Sequence, residues 1–205
     1  KIAHLKGTLD SLAGLRYGHT EVIVVDDGST DGSRRVAEQY CHTVGWRFLK
    51  HEKNAGKAAA LNTGIRAATG ELILTCDADS QLEPDSLEQM VPLLADPRVG
   101  AVAGMVSVEN GKGLLQRFQT LEYLHQAFQR VSQGFFSAVM VLPGPISLYR
   151  KAVISEAGWF GNNTMVEDWD MTMKVHKLGY KVLSVRGAEA KTAAPTQLKD
   201  WWRQR

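Results

Sequence analysis

The segment Glu21-Val-Ile-Val-Val-Asp-Asp-Gly-Ser-Thr-Asp31 joins a run of apolar residues directly to paired carboxylates, a glycine and hydroxyls. The β-branched run over residues 22–25 is uninterrupted, which is typical of a parallel strand covered on both faces. The Gly-Ser-Thr sequence behind it supplies a turn and a helix start. Because ligands of open α/β sheets bind beyond the carboxyl ends of such strands, Asp26 and Asp27 are predicted to lie at a ligand site.

Strand and helix patterns alternate along the first half of the chain. Such an alternation is typical of βαβ units, so the sequence predicts an α/β fold with a mostly parallel central sheet flanked by helices. The predicted elements, in chain order, are a helix over 2–15, a strand over 22–26, a helix over 33–41, a strand over 46–49, a helix over 57–68 and a strand over 72–76.

Length and composition limit the classes of protein to consider. A chain of 205 residues, 44% of them hydrophobic, predicts one domain over residues 1–205. The formal net charge of +2 gives no general field for binding nucleic acid, so no nucleic-acid partner is predicted. Two cysteines give no disulfide framework and favour a reducing compartment. The longest apolar run, 135–142, is far shorter than the roughly 20 residues that span a bilayer.

A second acidic segment, Leu72-Ile-Leu-Thr-Cys-Asp-Ala-Asp79, ends another buried strand pattern. Residues two apart in an extended backbone point the same way, so Asp77 and Asp79 can present two carboxylates to one point. Two such oxygen donors, completed by phosphate oxygens, commonly hold Mg²⁺ or Mn²⁺ in phosphate chemistry. The alternative is a solvated acidic turn in which Asp79 or Ser80 caps a helix. The shared sheet edge with the first acid pair favours the metal or diphosphate site.

A third acidic segment, Val166-Glu-Asp-Trp-Asp170, precedes a helical pattern over residues 171–178. Acidic side chains at a helix N-terminus are stabilised by the helix dipole, which is a sufficient explanation for Asp170. For Glu167 and Asp168 the functional interpretation is that one carboxylate acts as a general base toward a hydroxyl. That interpretation requires the fold to bring this segment close to the other two acidic segments.

An amphipathic segment covers residues 114–131. Its apolar residues recur at intervals of four and three and define one helical face, formed by Leu114, Phe118, Leu121, His125 and Phe128. The favoured interpretation is a helix that packs on the sheet. A membrane-facing helix is the alternative, although the basic stripe that would bind anionic lipid is missing.

The ordered acidic motifs resemble the family 2 inverting glycosyltransferases of the GT-A fold. The resemblance extends to the linking segments Asn54-Ala-Gly-Lys-Ala-Ala-Ala-Leu-Asn62, Gly70-Glu-Leu-Ile, Pro97-Arg-Val-Gly-Ala-Val-Ala-Gly104 and Pro143-Gly-Pro-Ile-Ser-Leu-Tyr-Arg150. Residues 116–123 and 201–205 are most similar to processive synthases that make poly-N-acetylglucosamine, with relatives that make hyaluronan, chitin and cellulose. Together these segments cover nearly the whole chain.

The resemblance implies a donor half at about residues 1–104 that binds a UDP-sugar and Mg²⁺ or Mn²⁺. Asp27, with Asp26 beside it, would contact the uridine, for which a carboxylate is a suitable hydrogen-bond acceptor. Lys57 is a further candidate on the nucleotide side. Asp77 and Asp79 would hold the metal and the donor diphosphate, with Asp79 favoured as the direct ligand.

The same resemblance implies an acceptor half at about residues 105–205. Asp168 would be the general base, with Glu167 close to the acceptor hydroxyl. Gln204 and Arg205 would help to hold the acceptor or the diphosphate, because they match the start of a Gln-x-x-Arg-Trp signature. The implied function is transfer of a sugar, N-acetylglucosamine above all, from a UDP-sugar to a growing β-linked polysaccharide.

Two other functions stay open at this point. One is a non-processive glycosyltransferase that acts on a polyprenyl phosphate or a glycan, and the other is an inactive nucleotide-sugar-binding module. The family also ordinarily begins with a strand and a nucleotide-contacting loop that have no counterpart here, so both ends are expected to be cut. The resemblance therefore implies a longer membrane protein, with this domain at the cytoplasmic face of the cell membrane and its flanking membrane segments outside these 205 residues.

Overall fold

The computed structural model describes residues 2–109, 113–162, 164, 166–195 and 197–204. The helices are α1 Ile2–Ala13, α2 Ser33–Val44, α3 Lys57–Ala67, α4 Ser86–Met90, α5 Leu114–Phe135, α6 Lys151–Glu156, α7 Glu167–Lys177 and α8 Leu198–Gln204, with a 3₁₀ turn at Val91–Ala95. The strands are β1 Ile23–Asp27, β2 Arg47–His51, β3 Leu72–Thr75, β4 Ser80–Leu82, β5 Val99–Val108, β6 Ser147–Arg150 and β7 Lys181–Thr192. Each helix and strand predicted over residues 2–76 is present, with bounds that differ by three residues or fewer.

The strands form two sheets with mixed pairing. β1 and β2 form a parallel pair, and the second sheet has the strand order β3-β6-β5-β7-β4. In that sheet β5 and β7 run parallel, whereas β6 pairs antiparallel with both β3 and β5, and β4 pairs antiparallel with β7. The α/β fold is confirmed, but the expectation of mostly parallel pairing is wrong for the five-stranded sheet. β4, β6 and β7 carry no strong local strand signal, and their pairings are long-range.

The core lies on both faces of the five-stranded sheet. Along β5, Ala101 and Ala103 belong to the cluster that includes residues of α3, α6 and α7, while Val102 and Val106 belong to the cluster on the opposite face with α4. This alternation follows from the two-residue period of an extended strand. A smaller cluster joins α1 to α2 and the two-stranded sheet.

An apolar cavity separates the two sheets. Within the described ranges β1 pairs only with β2, and β3 pairs only with β6. Residues of both strands line a cavity of about 520 Å³, with α1 and α3 contributing the other walls. Lys57 and Asp77 are among the residues that line this cavity, so the cavity extends to the second acidic segment.

Helix α5 packs on the sheet with the face opposite to the expected one. It contacts β5 and β7, but Phe118 and Phe128 point outward with exposed fractions of 61% and 71%. The buried side chains of this helix are the polar Gln119 and Arg130. The prediction that this helix packs on the sheet is confirmed, but its apolar face does not make the contact, because periodicity defines a face without saying which way it turns. No helix in the described part of the chain is both long and apolar enough to span a membrane.

Candidate active site

Carboxylates from two acidic segments converge on the ammonium group of Lys57. Lys57 Nζ lies 2.8 Å from Asp77 Oδ1, 3.2 Å from Glu167 Oε1 and 3.8 Å from Asp168 Oδ2. Lys57 is the first residue of α3, Asp77 follows β3 by two residues, and the other two acids begin α7. Three elements far apart in sequence thus meet, and the third acidic segment lies close to the second, as its general-base interpretation requires. The first acidic pair ends β1, which belongs to the other sheet, and is not part of this ion-pair cluster.

Burial and mutual repulsion perturb the pKa values of this cluster. Burial raises the pKa of Asp168 to about 6, an effect that Lys57 opposes and the negative charges of Glu167 and Asp77 reinforce. Burial likewise raises the pKa of Asp77, against the attraction of Lys57. Burial also works against the charge on Lys57, but Asp77 and Asp168 outweigh it and raise its pKa above the ordinary value. A carboxylate with a pKa near 6 is suited to accept a proton at neutral pH.

Gly144 brings its backbone into contact with these groups. Its N–H interacts with the Asp168 carboxylate and acts to lower the pKa of that group. A Cβ at this position would lie 2.6 Å from Lys57 Nζ, 2.7 Å from Asp168 Oδ2 and 3.1 Å from Asp77 Oδ2. The acidic motifs predict no role for this glycine, and its place between Pro143 and Pro145 is the one local sign of a fixed, close backbone approach.

Thr172 ties the glycine-containing loop to the helix that carries the acids. Its Oγ1 donates a hydrogen bond of 2.6 Å to the carbonyl oxygen of Asp168 and accepts one of 3.0 Å from the Leu142 N–H. Thr172 is fully buried. The relative position of Gly144 and Asp168 is therefore set by a buried contact that no local pattern could have indicated.

Protein groups already bind the carboxylates of the first acidic pair. Asp27 accepts hydrogen bonds from the N–H groups of Ala55 and Gly56 at 2.9 and 2.8 Å, and His51 Nδ1 lies 2.7 Å from its Oδ1. Asp26, which is buried, pairs with Arg34 Nε at 2.8 Å. Asp27 therefore holds the backbone directly before Lys57, and the first acidic pair is linked to the cluster through that backbone.

The turn after β1 depends on Gly28. Its φ of 73° is left-handed, and a Cβ would lie 2.6 Å from the Asn54 backbone nitrogen. Any larger residue would push away the 53–56 segment whose N–H groups bind Asp27. The glycine in the opening segment is thus needed for close approach of two backbone segments.

The Asp27 contacts predict a loss of stability in acid. Burial acts to raise the pKa of Asp27, but the N–H groups of Ala55 and Gly56 and the His51 ring outweigh it, and the pKa lies below its usual value. Such a carboxylate stabilises the folded state above its unfolded pKa, and this contribution disappears as the pH falls through the folded pKa. We expect the free energy of unfolding in urea to decrease between about pH 5 and pH 3, and Asp27→Asn to weaken that decrease. Glu52→Gln, on an exposed neighbouring residue, should keep the full acid dependence; equal slopes in Asp27→Asn and the unaltered protein would contradict the expectation.

The two carboxylates of the Asp-Ala-Asp segment differ in their surroundings. Asp77 points into the cluster, whereas Asp79 is exposed and accepts a hydrogen bond of 3.3 Å from Ser80 Oγ. The negative charge of Asp79 contributes to raising the pKa of Asp77, so the two carboxylates are electrostatic neighbours. The described residues contain no group of three His, Cys, Asp or Glu side chains able to hold a metal by themselves. Two hard oxygen donors on one turn nevertheless fit Mg²⁺ or Mn²⁺ when phosphate and water complete the shell.

The last two predicted site residues lie at the end of the chain. Gln204 is the final residue of α8, and the structure describes its backbone alone. Arg205 lies outside the described residues. Their proposed contact with acceptor or diphosphate stays a prediction.

The fold and this arrangement of acids agree with a family assignment. Residues 2–158 match the model of glycosyl transferase family 2, and the chain belongs to that family. It is 28% identical over 204 residues to a poly-beta-1,6-N-acetyl-D-glucosamine synthase of Staphylococcus epidermidis, and 29% identical to the synthase of the same name from Staphylococcus aureus strain COL. The matches cover 98% of this chain and 49% of each relative, so the chain spans about half the length of these curated relatives.

Solved structures confirm the GT-A fold. A mannosyltransferase from Pyrobaculum calidifontis, in complex with GDP-Man and Mn²⁺, superposes with a TM-score of 0.79 at 26% identity, over 99% of this chain and 56% of that one. Staphylococcus aureus TarS in complex with UDP-GlcNAc superposes with a TM-score of 0.71 at 20% identity, over 94% of this chain and 55% of that one.

Proposed function

We propose that the chain is the catalytic domain of a metal-dependent, inverting glycosyltransferase that transfers N-acetylglucosamine from a UDP-sugar to a growing β-linked polysaccharide. The observation that carries this proposal is the convergence of Asp77, Glu167 and Asp168 on Lys57 at one sheet edge. The names of the curated relatives support the sugar and the polymeric product. On this proposal residues 1–205 form one domain, with the donor half at about 1–104 and the acceptor half at about 105–205.

On the donor side the acids hold a nucleoside diphosphate. Asp77 and Asp79 would bind Mg²⁺ or Mn²⁺, which when bound neutralises the charge that develops on the leaving diphosphate. Asp27, with Asp26 beside it, would contact the uridine, and Asp27 also holds the loop before Lys57 through the N–H groups of Ala55 and Gly56. Lys57 would lie on the nucleotide side, and Gln204 and Arg205 would contact acceptor or diphosphate.

On the acceptor side Asp168 accepts the proton of the attacking hydroxyl. The Thr172 contact holds the Asp168 backbone, and the Gly144 N–H interacts with the carboxylate, which limits the motion needed to reach the reacting geometry. Glu167, the preceding residue, would bind the acceptor hydroxyl. One displacement at the anomeric carbon breaks the bond to the diphosphate oxygen and forms the bond to the acceptor oxygen, so the configuration inverts.

The proposal is tested by product analysis of the full-length enzyme with a panel of nucleotide sugars. We expect turnover of UDP-N-acetylglucosamine that stops on removal of divalent cations with EDTA and returns with Mg²⁺ or Mn²⁺, and a β-linked product of several sugars from the α-linked donor. An α-linked product would exclude a single displacement, and products of one added sugar would favour the non-processive alternative. A GDP-sugar is the second donor to include, because the solved mannosyltransferase contains GDP-Man.

The outward apolar face of α5 supports a place for this domain against a membrane, and the cytoplasmic side is the one that the resemblance implies. Phe118 and Phe128 present their rings to solvent, and large exposed apolar patches mark interaction surfaces. We expect the chain to sediment with phosphatidylcholine vesicles and the double variant Phe118→Ser/Phe128→Ser to lose that association without a lower melting temperature. Gln129→Ser, at an exposed polar position of the same helix, is the matched control. Equal sedimentation of the double variant would argue against this face as the contact.

A further inference from the structure

Lys57 occupies an unusual place for a lysine. It is the first residue of α3, where the positive end of the helix dipole disfavours a cation. Asp77 Oδ1, Glu167 Oε1 and Asp168 Oδ2 all lie within 3.8 Å of its ammonium group. Among the ion pairs of the described residues, this is the one cation shared by carboxylates of different elements. Its neighbours, and not the helix, therefore hold it in place.

The ammonium group and a divalent cation would compete for the same carboxylate. On the proposed function Asp77 is a metal ligand, yet its Oδ1 is 2.8 Å from Lys57 Nζ. A second cation bound to Asp77 would lie within a few ångströms of the ammonium group, where repulsion between like charges is strong. The flexible four-carbon stem of lysine allows Nζ to move away, and diphosphate oxygens are suitable new acceptors for its protons.

Resting on the proposed function, we propose that Lys57 is an internal counter-ion that occupies Asp77 in the donor-free protein and moves to the donor diphosphate when the divalent cation binds. Lys57 is then a positioning residue that couples the two binding events. Without nucleotide, Lys57 lowers the affinity of the protein for the divalent cation. With nucleotide bound, the diphosphate accepts the hydrogen bonds of the ammonium group, and Lys57 then raises that affinity. The site so favours metal and donor together over metal by itself.

Mn²⁺ binding, followed by electron paramagnetic resonance with and without UDP, tests this coupling. We expect the unaltered protein to bind Mn²⁺ weakly alone and more tightly with UDP. Lys57→Met should bind Mn²⁺ alone about tenfold more tightly or better, and should gain less from UDP. Lys57→Arg, which keeps the charge, should resemble the unaltered protein. Lys50→Met, at an exposed position on β2, should change nothing.

The outcomes separate this inference from the function on which it rests. If Lys57→Met binds Mn²⁺ without UDP no more tightly than the unaltered protein does, the counter-ion role is overturned and the proposed function still stands. No Mn²⁺ binding by any of the proteins, with UDP present, would overturn the metal site and this inference with it. If Lys57→Met fails to fold, Lys57→Gln is used instead, because it removes the charge and keeps hydrogen-bond donors. Its Mn²⁺ affinity without UDP is then compared with that of the unaltered protein.

Discussion

Asp168→Asn is expected to lower kcat of the full-length enzyme by about 10²- to 10⁴-fold, the range that a general base contributes. An amide cannot accept the proton of the attacking hydroxyl, although it keeps the shape of the carboxylate. Donor binding should be nearly unchanged, because the proposed donor contacts of Asp77 and Asp79 lie on another segment. The measurements are single-turnover transfer and UDP binding by calorimetry.

The control for that variant lies one half-turn along the same helix. Asp170→Asn makes the same chemical change at a residue whose carboxylate pairs with Lys174 Nζ at 2.7 Å and not with Lys57. Its transfer rate should stay close to that of the unaltered enzyme. If Asp168→Asn loses donor binding along with transfer, Asp168 belongs to the donor site and the base must be sought elsewhere, with Glu167 the next candidate.

Gly144→Ala is expected to reduce transfer by about 10²-fold, the penalty typical of a displacement of roughly 1 Å at a reacting group. The added Cβ would meet Lys57 Nζ, Asp168 Oδ2 and Asp77 Oδ2, which are all ends of movable side chains. Relief of the clash therefore displaces the site and leaves the fold intact. Kinetics together with thermal melting should show a large fall in kcat and a small change in Tm.

A second glycine shows whether the effect is local. Gly18→Ala introduces the same methyl group where no atom lies within 4 Å of it, and neither Gly18 nor Gly144 has a positive φ. It should leave both transfer and Tm unchanged. A Gly144→Ala enzyme with full activity would mean that the acids do not need the observed close approach of the loop, and unfolding of the variant would mean that the loop is primarily structural.

The orientation of helix α5 is one feature that its local sequence pattern does not predict. The recurrence of Leu114, Phe118 and Phe128 identified the helix and its apolar face, since that information is contained in residue spacing. The direction of this face depends on which side of the helix meets β5 and β7, and that is decided by tertiary packing and not by the spacing of residues within the helix. The structure turns Gln119 and Arg130 inward instead.

The pairing of β6 and β7 is another feature that local patterns do not predict. β6 and β7 are the inner strands on either side of the central β5, and each pairs with strands far away in sequence. A mixed strand order of this kind arises from long-range pairing, which the periodicity of any one segment cannot contain. Helix α7 begins at Glu167, so the third acidic segment forms the first turn of the helix and does not precede it as predicted.

The sequence by itself determined the α/β class, the glycosyltransferase resemblance and the acidic segments that would carry chemistry, because strand runs, turn residues and ordered motifs are all local. Only the tertiary structure decided that Lys57 joins Asp77 to Glu167 and Asp168, that Gly144 closes on them, and that Asp27 holds the backbone before Lys57. These contacts join residues tens of positions apart, and their distances depend on strand order and on the direction of each side chain. Asp27 of the opening acidic pair thus has a structural role, holding the backbone before the lysine, that its sequence motif alone did not reveal.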